Sequence, residues 1–157
     1  MQKITPFLWF NDNAEDAINF YTSIFKNSRV INLSRYGEGA PVPSGTLMSG
    51  TFQIEGQEFM GLNGGPKFKF TEATSFFISC ETQDEVDYYW NALTAHGGEE
   101  SQCAWLKDKF GVSWQVVPSA LMRLMSDPDR AKAERVMQAM LKMRKIIIAD
   151  LEKAAAS

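Results

Sequence analysis

The sequence is poor in the residues that build metal centres, disulfides and membrane spans. It has one histidine, His96, and two cysteines, Cys80 and Cys103. Two cysteines do not make a disulfide framework and are predicted to be reduced thiols. The longest apolar runs, such as 146–148, are far too short to cross a bilayer, and the first residues contain no apolar signal-peptide segment. These absences predict a cytoplasmic protein with no membrane partner.

Charge is distributed unevenly along the chain. Residues 119–157 carry eight Lys/Arg against five Asp/Glu, whereas residues 1–118 carry eight against fourteen. An acidic body does not favour a nucleic-acid surface. The cations of the tail alternate with Ala, Met, Leu and Ile at helical spacing, which is typical of the solvated face of a helix. No nucleic-acid partner is therefore predicted.

The first half of the chain contains four strand patterns and one helix pattern. Asn13 is a plausible N-cap, and apolar residues recur on one face up to Phe25. Glu55-Gly56 is a tight hairpin signal between two strands. The predicted strands are Ile4–Phe10, Ser28–Tyr36, Thr46–Ile54 and Gln57–Asn63.

The second half repeats this order in a shorter form. Thr82 and Glu85 form a capping box, and Val86, Tyr89, Trp90 and Leu93 make a buried helical stripe. His96 before two glycines is predicted to cap the end of that helix rather than to bind a metal. The predicted strands are Ser75–Cys80, Gln102–Leu106 and Val112–Val117, with a turn at Asp108–Gly111.

The two halves match when one is shifted along the other. A shift of 69 residues places Phe7 on Phe76 and Tyr21 on Trp90, and a shift of 55 places Phe59 on Trp114. This internal duplication predicts an α+β fold of two tandem βαβββ-type modules. The expected organisation is one domain, 1–157, with a first module at 1–66, a shortened second module at 67–118 and C-terminal helices at 119–157. The two modules are expected to form the halves of one cleft, with their helices outside.

The tail carries an amphipathic helix signal. Asp127-Pro128 is a helix start, and Ala133, Val136 and Met140 share one apolar face of a helix over 128–145. That face needs a cover, which is either the sheet of the same domain or a second subunit. A homodimer is predicted.

Several segments together resemble a known superfamily. They are NAEDAINFYTSIF (Asn13–Phe25), FMGLNGGP (Phe59–Pro66), KDKFGVSWQVVP (Lys107–Pro118) and SDPDRAKAERVMQAMLKM (Ser126–Met143). With the duplicated pattern, they resemble the vicinal oxygen chelate superfamily of glyoxalases, bleomycin-resistance proteins and extradiol dioxygenases. The similarity is greatest to its PhnB-like branch, which is labelled 3-demethylubiquinone-9 3-methyltransferase.

The resemblance implies where a metal would be held in the enzymes of the superfamily. Those positions fall here near Thr5, at Met60, near Thr74 or Ser75, and at Gln115. Only Gln115 is a usable ligand, and a divalent catalytic metal needs about three His or carboxylate ligands. Neither a metal nor another cofactor is therefore predicted. Glu58, two residues from Met60, is the nearest acid that could change this prediction.

Aromatic residues dominate the candidate binding surface. Eleven Phe and four Trp are present, and several lie in or beside predicted strands. Aromatic walls with a few polar groups are typical of small-molecule sites. The candidate cleft residues are Thr5, Phe7, Trp9, Phe59, Asn63, Ser75, Trp105 and Gln115.

The sequence is compatible with three functions. The first is a metal-free protein that holds an apolar or aromatic ligand. The second is an enzyme of the glyoxalase, dioxygenase or 3-demethylubiquinone methyltransferase type, acting on an unknown substrate. The third is an interaction module that fills the cleft with its own side chains.

Overall fold

The computed structural model describes residues 2–157 and divides them into two compact units. The first ends at Phe70 and the second is Thr71–Ser157. Each unit contains one four-stranded sheet with a helix on one face. The division lies four residues beyond the predicted module end at 66, because Phe68 packs against Trp9 and Phe70 against Phe10. The predicted α+β class with two βαβββ modules is confirmed.

The first sheet is built from four strands in the order β1-β4-β3-β2. Its elements are β1 (Phe7–Phe10), α1 (Ala14–Ile24), β2 (Ser28–Arg35), β3 (Leu47–Ile54) and β4 (Gln57–Asn63). Strand β1 runs parallel to β4, and the other neighbours are antiparallel. Glu55 and Gly56 both have positive φ angles, 49° and 80°, as the two-residue hairpin of the β3–β4 turn requires.

Helix α1 packs closely on one face of this sheet. Its predicted apolar stripe is buried, and Tyr21 stacks on Phe52, which stacks on Phe59. A Cβ at Gly50 would lie 2.8 Å from Cδ1 of Ile18, so the glycine lets the helix approach the strand. The predicted start of the first strand at Ile4 was wrong, because the strand begins at Phe7 and Ile4 is 84% exposed.

The second sheet has the same topology, and three of its four strands are shorter than their counterparts in the first sheet. Its elements are β5 (Ser75–Cys80), α2 (Gln83–Thr94), β6 (Glu99–Glu100), β7 (Trp105–Lys107) and β8 (Ser113–Pro118), and the strand order is β5-β8-β7-β6. The predicted cap of α2 is confirmed, since Oγ1 of Thr82 accepts from Glu85 N–H at 3.2 Å. Helix α2 ends at Thr94, and His96 follows in a left-handed conformation with φ of 59°.

The first strands of the two modules, β1 and β5, are related by 70 residues rather than 69. Phe7 and Phe77 are each 50% exposed, and Phe10 and Cys80 are both buried at the strand ends. The β1–α1 connection, 11–13, is one residue longer than the β5–α2 connection, 81–82. The helices therefore match at 69 and the first strands at 70, so that pairing Phe7 with Phe76 was wrong.

Three helices follow the second sheet: α3 (Ser119–Met125), α4 (Arg130–Met140) and α5 (Ile148–Ala156). The predicted single helix over 128–145 is shorter than expected, because Asp129, not Asp127, caps it and accepts from the N–H groups of Ala131 and Lys132. Val136 packs in a core with residues of α3 and α5 and with Val117 and Ala104. Its own chain thus covers the apolar face of α4, and this face is no argument for a second subunit.

None of the helices in residues 2–157 combines the length and the apolar character needed to cross a bilayer.

Candidate functional site

The sheet face opposite α2, called here the second far face, carries two rows of side chains across its strands. The register aligns Phe77 with Gln115 and Gln115 with Trp105, giving an aromatic–amide–aromatic row. The adjacent row runs from Ser75 through Ser113 and Lys107 to Glu99. Side chains directly opposite on neighbouring strands lie on the same face. The face therefore joins an apolar row to a polar one.

Gln115 is the polar group of the first row. Its Nε2 donates to Oγ of Ser75 at 2.9 Å, and this bond orients the amide. Phe77 beside it is half exposed, which is unusual for a phenylalanine in mid-strand. The structure brings together three predicted site residues here: Ser75, Trp105 and Gln115.

Sequence reasoning missed Phe77 as a site residue. The strand shift of 69 aligned Phe76 with Phe7, but Phe76 faces the opposite way and its ring lies 5.4 Å from that of Trp114. The hairpin shift of 55 places Met60 on Gln115, and the structure pairs these residues with Phe7 and Phe77. The sequence does not show which residues pair across strands, so the shift alone did not identify Phe77.

The polar row contains an ion pair and a buried hydroxyl. Lys107 pairs with Glu72, and this hydrogen bond raises the pKa of the lysine and lowers the pKa of the carboxyl. Oγ of Ser113 is buried and has no hydrogen-bond partner within residues 2–157. A depression of about 120 Å³ opens beside these groups, lined also by Trp105 and Glu99.

The face opposite α1, called the first far face, presents the equivalent positions of the first module. Phe7 is half exposed, and Met60 lies opposite it on β4. Trp9 is held in place, because its Nε1 donates to the Gly65 carbonyl at 2.9 Å and a Cβ at Gly64 would lie 2.3 Å from its ring. Thr5 is half buried and precedes β1.

Two predicted site residues lie on the helix side instead. Phe59 is buried in the stack with Phe52. The Asn63 amide accepts from Ala14 N–H at 2.8 Å and donates to the Leu47 carbonyl at 3.1 Å, so it caps α1 in place of the Asn13 side chain. Strand alternation explains both placements, since 59, 61 and 63 share the face opposite Met60.

Asp108, the first residue of the predicted turn before β8, is a buried structural residue. It is 2% exposed, and its carboxylate accepts from Phe110 N–H, Val112 N–H and the Trp114 indole at 2.9 to 3.0 Å. These bonds fix the turn before β8 and anchor Trp114 in the core. Its sequence position in a turn gave no sign of this burial.

The four positions implied for a metal carry poor donors. Thr5 and Ser75 offer hydroxyls, Met60 a thioether, and Gln115 a single neutral amide oxygen. Transition metals and hard divalent ions prefer imidazole, thiolate or carboxylate ligands. Within residues 2–157, no three His, Cys, Asp or Glu side chains come close enough together to hold an ion. The chain's own donors therefore do not fit the metal that the sequence resemblance implies.

The cysteines are unpaired, and the environment of Cys80 opposes reactivity. Burial, together with Glu85 and Glu81, raises the pKa of the Cys80 thiol to about 12. A thiol with such a pKa carries almost no thiolate at neutral pH, and the thiolate is the nucleophile. Cys80 is thus a core residue.

Comparison with known proteins identifies the family. A sequence model of the 3-demethylubiquinone-9 3-methyltransferase family matches residues 2–117. The PhnB protein from Bacillus cereus is 40% identical, with a TM-score of 0.69 over 74% of this chain and 99% of its own. About a quarter of this chain therefore has no counterpart there. No protein with curated annotation matches significantly.

Two less similar solved structures share the fold. Protein PA1353 from Pseudomonas aeruginosa is 21% identical, with a TM-score of 0.61 over 75% of this chain and 98% of its own. A glyoxalase/bleomycin resistance protein/dioxygenase domain from Frankia is 13% identical, with a TM-score of 0.50 over 75% and 92%. The chain belongs to the PhnB-like 3-demethylubiquinone-9 3-methyltransferase family.

Proposed function

We propose that the protein binds a small apolar or aromatic molecule on the second far face without using a divalent metal. The observation that carries this proposal is the row in which the Gln115 amide stands between Phe77 and Trp105. Two aromatic groups around one oriented amide make a surface for a planar molecule with one hydrogen-bonding group. Phe7 and Met60 offer a second apolar surface, without an amide, on the first far face.

Binding can be tested by calorimetric titration with small aromatic compounds such as benzyl alcohol. We expect Phe77→Ala to weaken binding about tenfold, because a half-exposed ring gains roughly 1 to 1.5 kcal/mol when a ligand covers it. Leu141→Ala is the matched control, since Leu141 is an equally exposed apolar residue of the same unit outside the face. Equal affinity of the wild-type protein and Phe77→Ala would rule out this face as the site.

The metal-free part of the proposal has its own test. Elemental analysis of protein purified without a His-tag or chelator is expected to give no stoichiometric transition metal. The strongest challenge comes from Glu58, which shares the far face with Met60. One equivalent of metal that is lost in Gln115→Ala and Glu58→Ala would replace the binding proposal with a metal-dependent enzyme.

The family's description raises methyl transfer as the alternative function. Binding S-adenosylmethionine in a doubly wound sheet needs a glycine-rich turn between a strand and a helix. The two such turns here, 11–13 and 81–82, contain no glycine. These turns do not fit that cofactor, so binding without methyl transfer is the function we propose. A thermal shift with S-adenosylmethionine would contradict it.

For assembly and location we propose a cytoplasmic homodimer. Strand β2 is an edge strand, and its exposed Val30 and Ile31 are the kind of apolar edge that proteins normally cover. Sedimentation at tens of micromolar is expected to give a dimer, and Ile31→Lys a monomer. A wild-type monomer would contradict the assembly without affecting the ligand proposal.

A further inference from the structure

The turn that precedes Trp105 has an unfavourable backbone conformation. The Trp105 N–H donates to the Gln102 carbonyl at 3.2 Å, so residues 102–105 form a four-residue turn. Its two central residues, Cys103 and Ala104, have positive φ angles of 57° and 78°. Residues other than glycine, asparagine and aspartate rarely adopt such angles, and two in succession normally call for a pair such as Asn-Gly. The turn therefore needs support from outside to keep this shape.

The support comes from the connection between α4 and α5, residues 141–147, called here the strap. The Cys103 N–H donates to the Met143 carbonyl at 2.8 Å. The Ala104 N–H donates to the Arg144 carbonyl at 2.9 Å, and the Ala104 side chain is buried in the apolar core of the tail helices. The strap thus holds both residues whose φ angles are unfavourable.

The strap is fixed at its other side by helix α2. Nε2 of Gln83 donates to the Ile146 carbonyl at 3.0 Å, and Oε1 of the same side chain accepts from the Ile148 N–H at 2.8 Å. Lys145 forms an ion pair with Asp87 at 2.9 Å. The strap therefore bridges α2 and the turn, and Gln83 makes the two side-chain hydrogen bonds that anchor it.

The place of this turn decides the place of Trp105. Trp105 follows the turn directly and lies opposite Gln115 in the row of the second far face. Strand β7 has only three residues, so its own ladder offers little to fix its first residue. The Ala104 carbonyl accepts from the Val116 N–H at 2.9 Å, which joins the turn to β8 beside Gln115. A change in the turn would therefore move the Trp105 ring relative to the Gln115 amide.

We propose that the strap positions the ligand-binding row and that Gln83 is a positioning residue of the site. By holding the turn in its unfavourable conformation, the strap fixes the Trp105 ring beside the Gln115 amide before a ligand arrives. Such preorganisation raises affinity, because less conformational freedom is lost on binding. This inference rests on the proposed function and extends it, since it makes a segment outside the family match at residues 2–117 a determinant of the site.

Fluorine NMR of the full-length protein labelled with fluorotryptophan tests the positioning without a ligand. The Trp105→Phe variant identifies the Trp105 resonance among those of the four tryptophans. Gln83→Ala is expected to shift and broaden this resonance, because the ring would exchange between several positions. Trp9 in the first unit and Trp114, whose indole donates to a carboxylate in the core, should keep their resonances. An unchanged Trp105 resonance in Gln83→Ala would overturn the inference.

Calorimetric titration with benzyl alcohol tests the consequence for binding. Gln83→Ala should weaken binding about threefold, through its coupling to Trp105. The same change should leave the affinity of Trp105→Ala as it is, because no ring remains to be positioned, but should keep its full effect in Phe77→Ala. A purely structural role of Gln83 would instead lower the affinity equally in both backgrounds, and that result would contradict the positioning role.

A glycine in the turn provides a rescue. Glycine adopts positive φ angles without strain, so a turn with glycine depends less on the strap. The double variant Gln83→Ala/Cys103→Gly should therefore regain wild-type affinity and a sharp Trp105 resonance, and a loss that persists in it would count against the inference. Gln138→Ala is the matched control and should change neither measurement, since Gln138 is an exposed glutamine that bonds to Glu134 on its own helix.

The two measurements separate this inference from the proposed function. A changed Trp105 resonance in Gln83→Ala, with no binding of benzyl alcohol by the wild-type protein, would refute the proposed function while supporting the positioning of Trp105 by the strap. Binding by the wild-type protein with equal affinity in Gln83→Ala would support the proposed function and overturn the inference.

Discussion

The two modules share one topology but stabilise it differently. In the first, β2 and β3 are each eight residues long and pair along most of their length. In the second, the equivalent β6 and β7 have two and three residues and form only two register pairs. A sheet can therefore keep its strand order after most of one strand pair is lost, provided that other interactions replace it.

Two sets of interactions replace the lost strand pairing in the second unit. The helices α3–α5 bury Val117 at the end of β8 and Ala104 before β7 in one apolar core. Gln83 ties them to α2, since its side chain donates to the Ile146 carbonyl at 3.0 Å and accepts from Ile148 N–H at 2.8 Å. Residues 118–157 lie outside the family match, so that match does not support the resemblance of the Ser126–Met143 segment to the family. The tail is thus an addition that carries part of the second module's stability.

The largest expected effect comes from a cavity in this tail core. Leu151 is fully buried, and Leu151→Ala should lower the free energy of unfolding by about 3 kcal/mol, because it removes buried contacts and leaves a cavity. Urea unfolding measures the loss, with Glu152→Gln as the exposed control on the same helix. Hydrogen exchange of the β8 amides should accelerate more than that of the β3–β4 amides. Unchanged β8 protection would show that the tail does not support the second sheet.

The turns that precede β4 and β8 give the next comparison. The first turn depends on backbone geometry at Glu55-Gly56, whereas the second depends on the three hydrogen bonds that Asp108 accepts. Asp108→Ala leaves buried donors without an acceptor and should cost about 2 to 3 kcal/mol. Glu55→Ala removes an exposed side chain and should cost less than about 0.5 kcal/mol.

Replacing Asp108 by asparagine sharpens this comparison. Asp108→Asn keeps one oxygen for the backbone N–H groups but turns an NH₂ towards the Trp114 indole, so its urea midpoint should lie between those of the wild type and Asp108→Ala. Near-ultraviolet circular dichroism should report the loosened indole. Equal costs for Asp108→Ala and Glu55→Ala would mean that the two turns are stabilised alike.

The sequence predicted the elements whose patterns are local. The bounds of β4 and β5 and the buried stripe of α2 follow from apolar periodicity and turn signals, and the structure confirms them. The half-exposed Phe77 was missed because a one-residue difference between two loops reverses the face of every strand residue. The burial of Asp108 and of the α4 face depends on contacts between distant segments, which a single sequence does not display.

The smallest expected effect concerns the first turns of the two helices. Glu15 on α1 and Asp84 on α2 occupy equivalent positions at the shift of 69. Glu15 forms a two-bond ion pair with Arg35 at the end of β2, at 2.6 and 2.9 Å. Asp84 has no ion pair within residues 2–157, and the shortened β6 offers no counterpart of Arg35. Both carboxylates interact with a helix N-terminus. The difference in stability between variants that neutralise Glu15 and Asp84 therefore reports the Glu15–Arg35 ion pair.

The comparison of Glu15→Gln with Asp84→Asn therefore has a defined pH dependence. The hydrogen bond from Arg35 lowers the pKa of the folded-state Glu15 carboxyl below its ordinary value near 4.5. A lowered pKa means that the ion pair stabilises the fold at pH values above the ordinary pKa of the carboxyl. This contribution disappears as the pH falls through the folded-state pKa. Glu15→Gln should thus have the lower urea midpoint at pH 7, and its difference from Asp84→Asn should narrow as the pH falls through the folded-state value. In 1 M salt the difference at pH 7 should also shrink. A difference that changes with neither pH nor salt would mean that the Glu15 side chain contributes through packing and not through its charge.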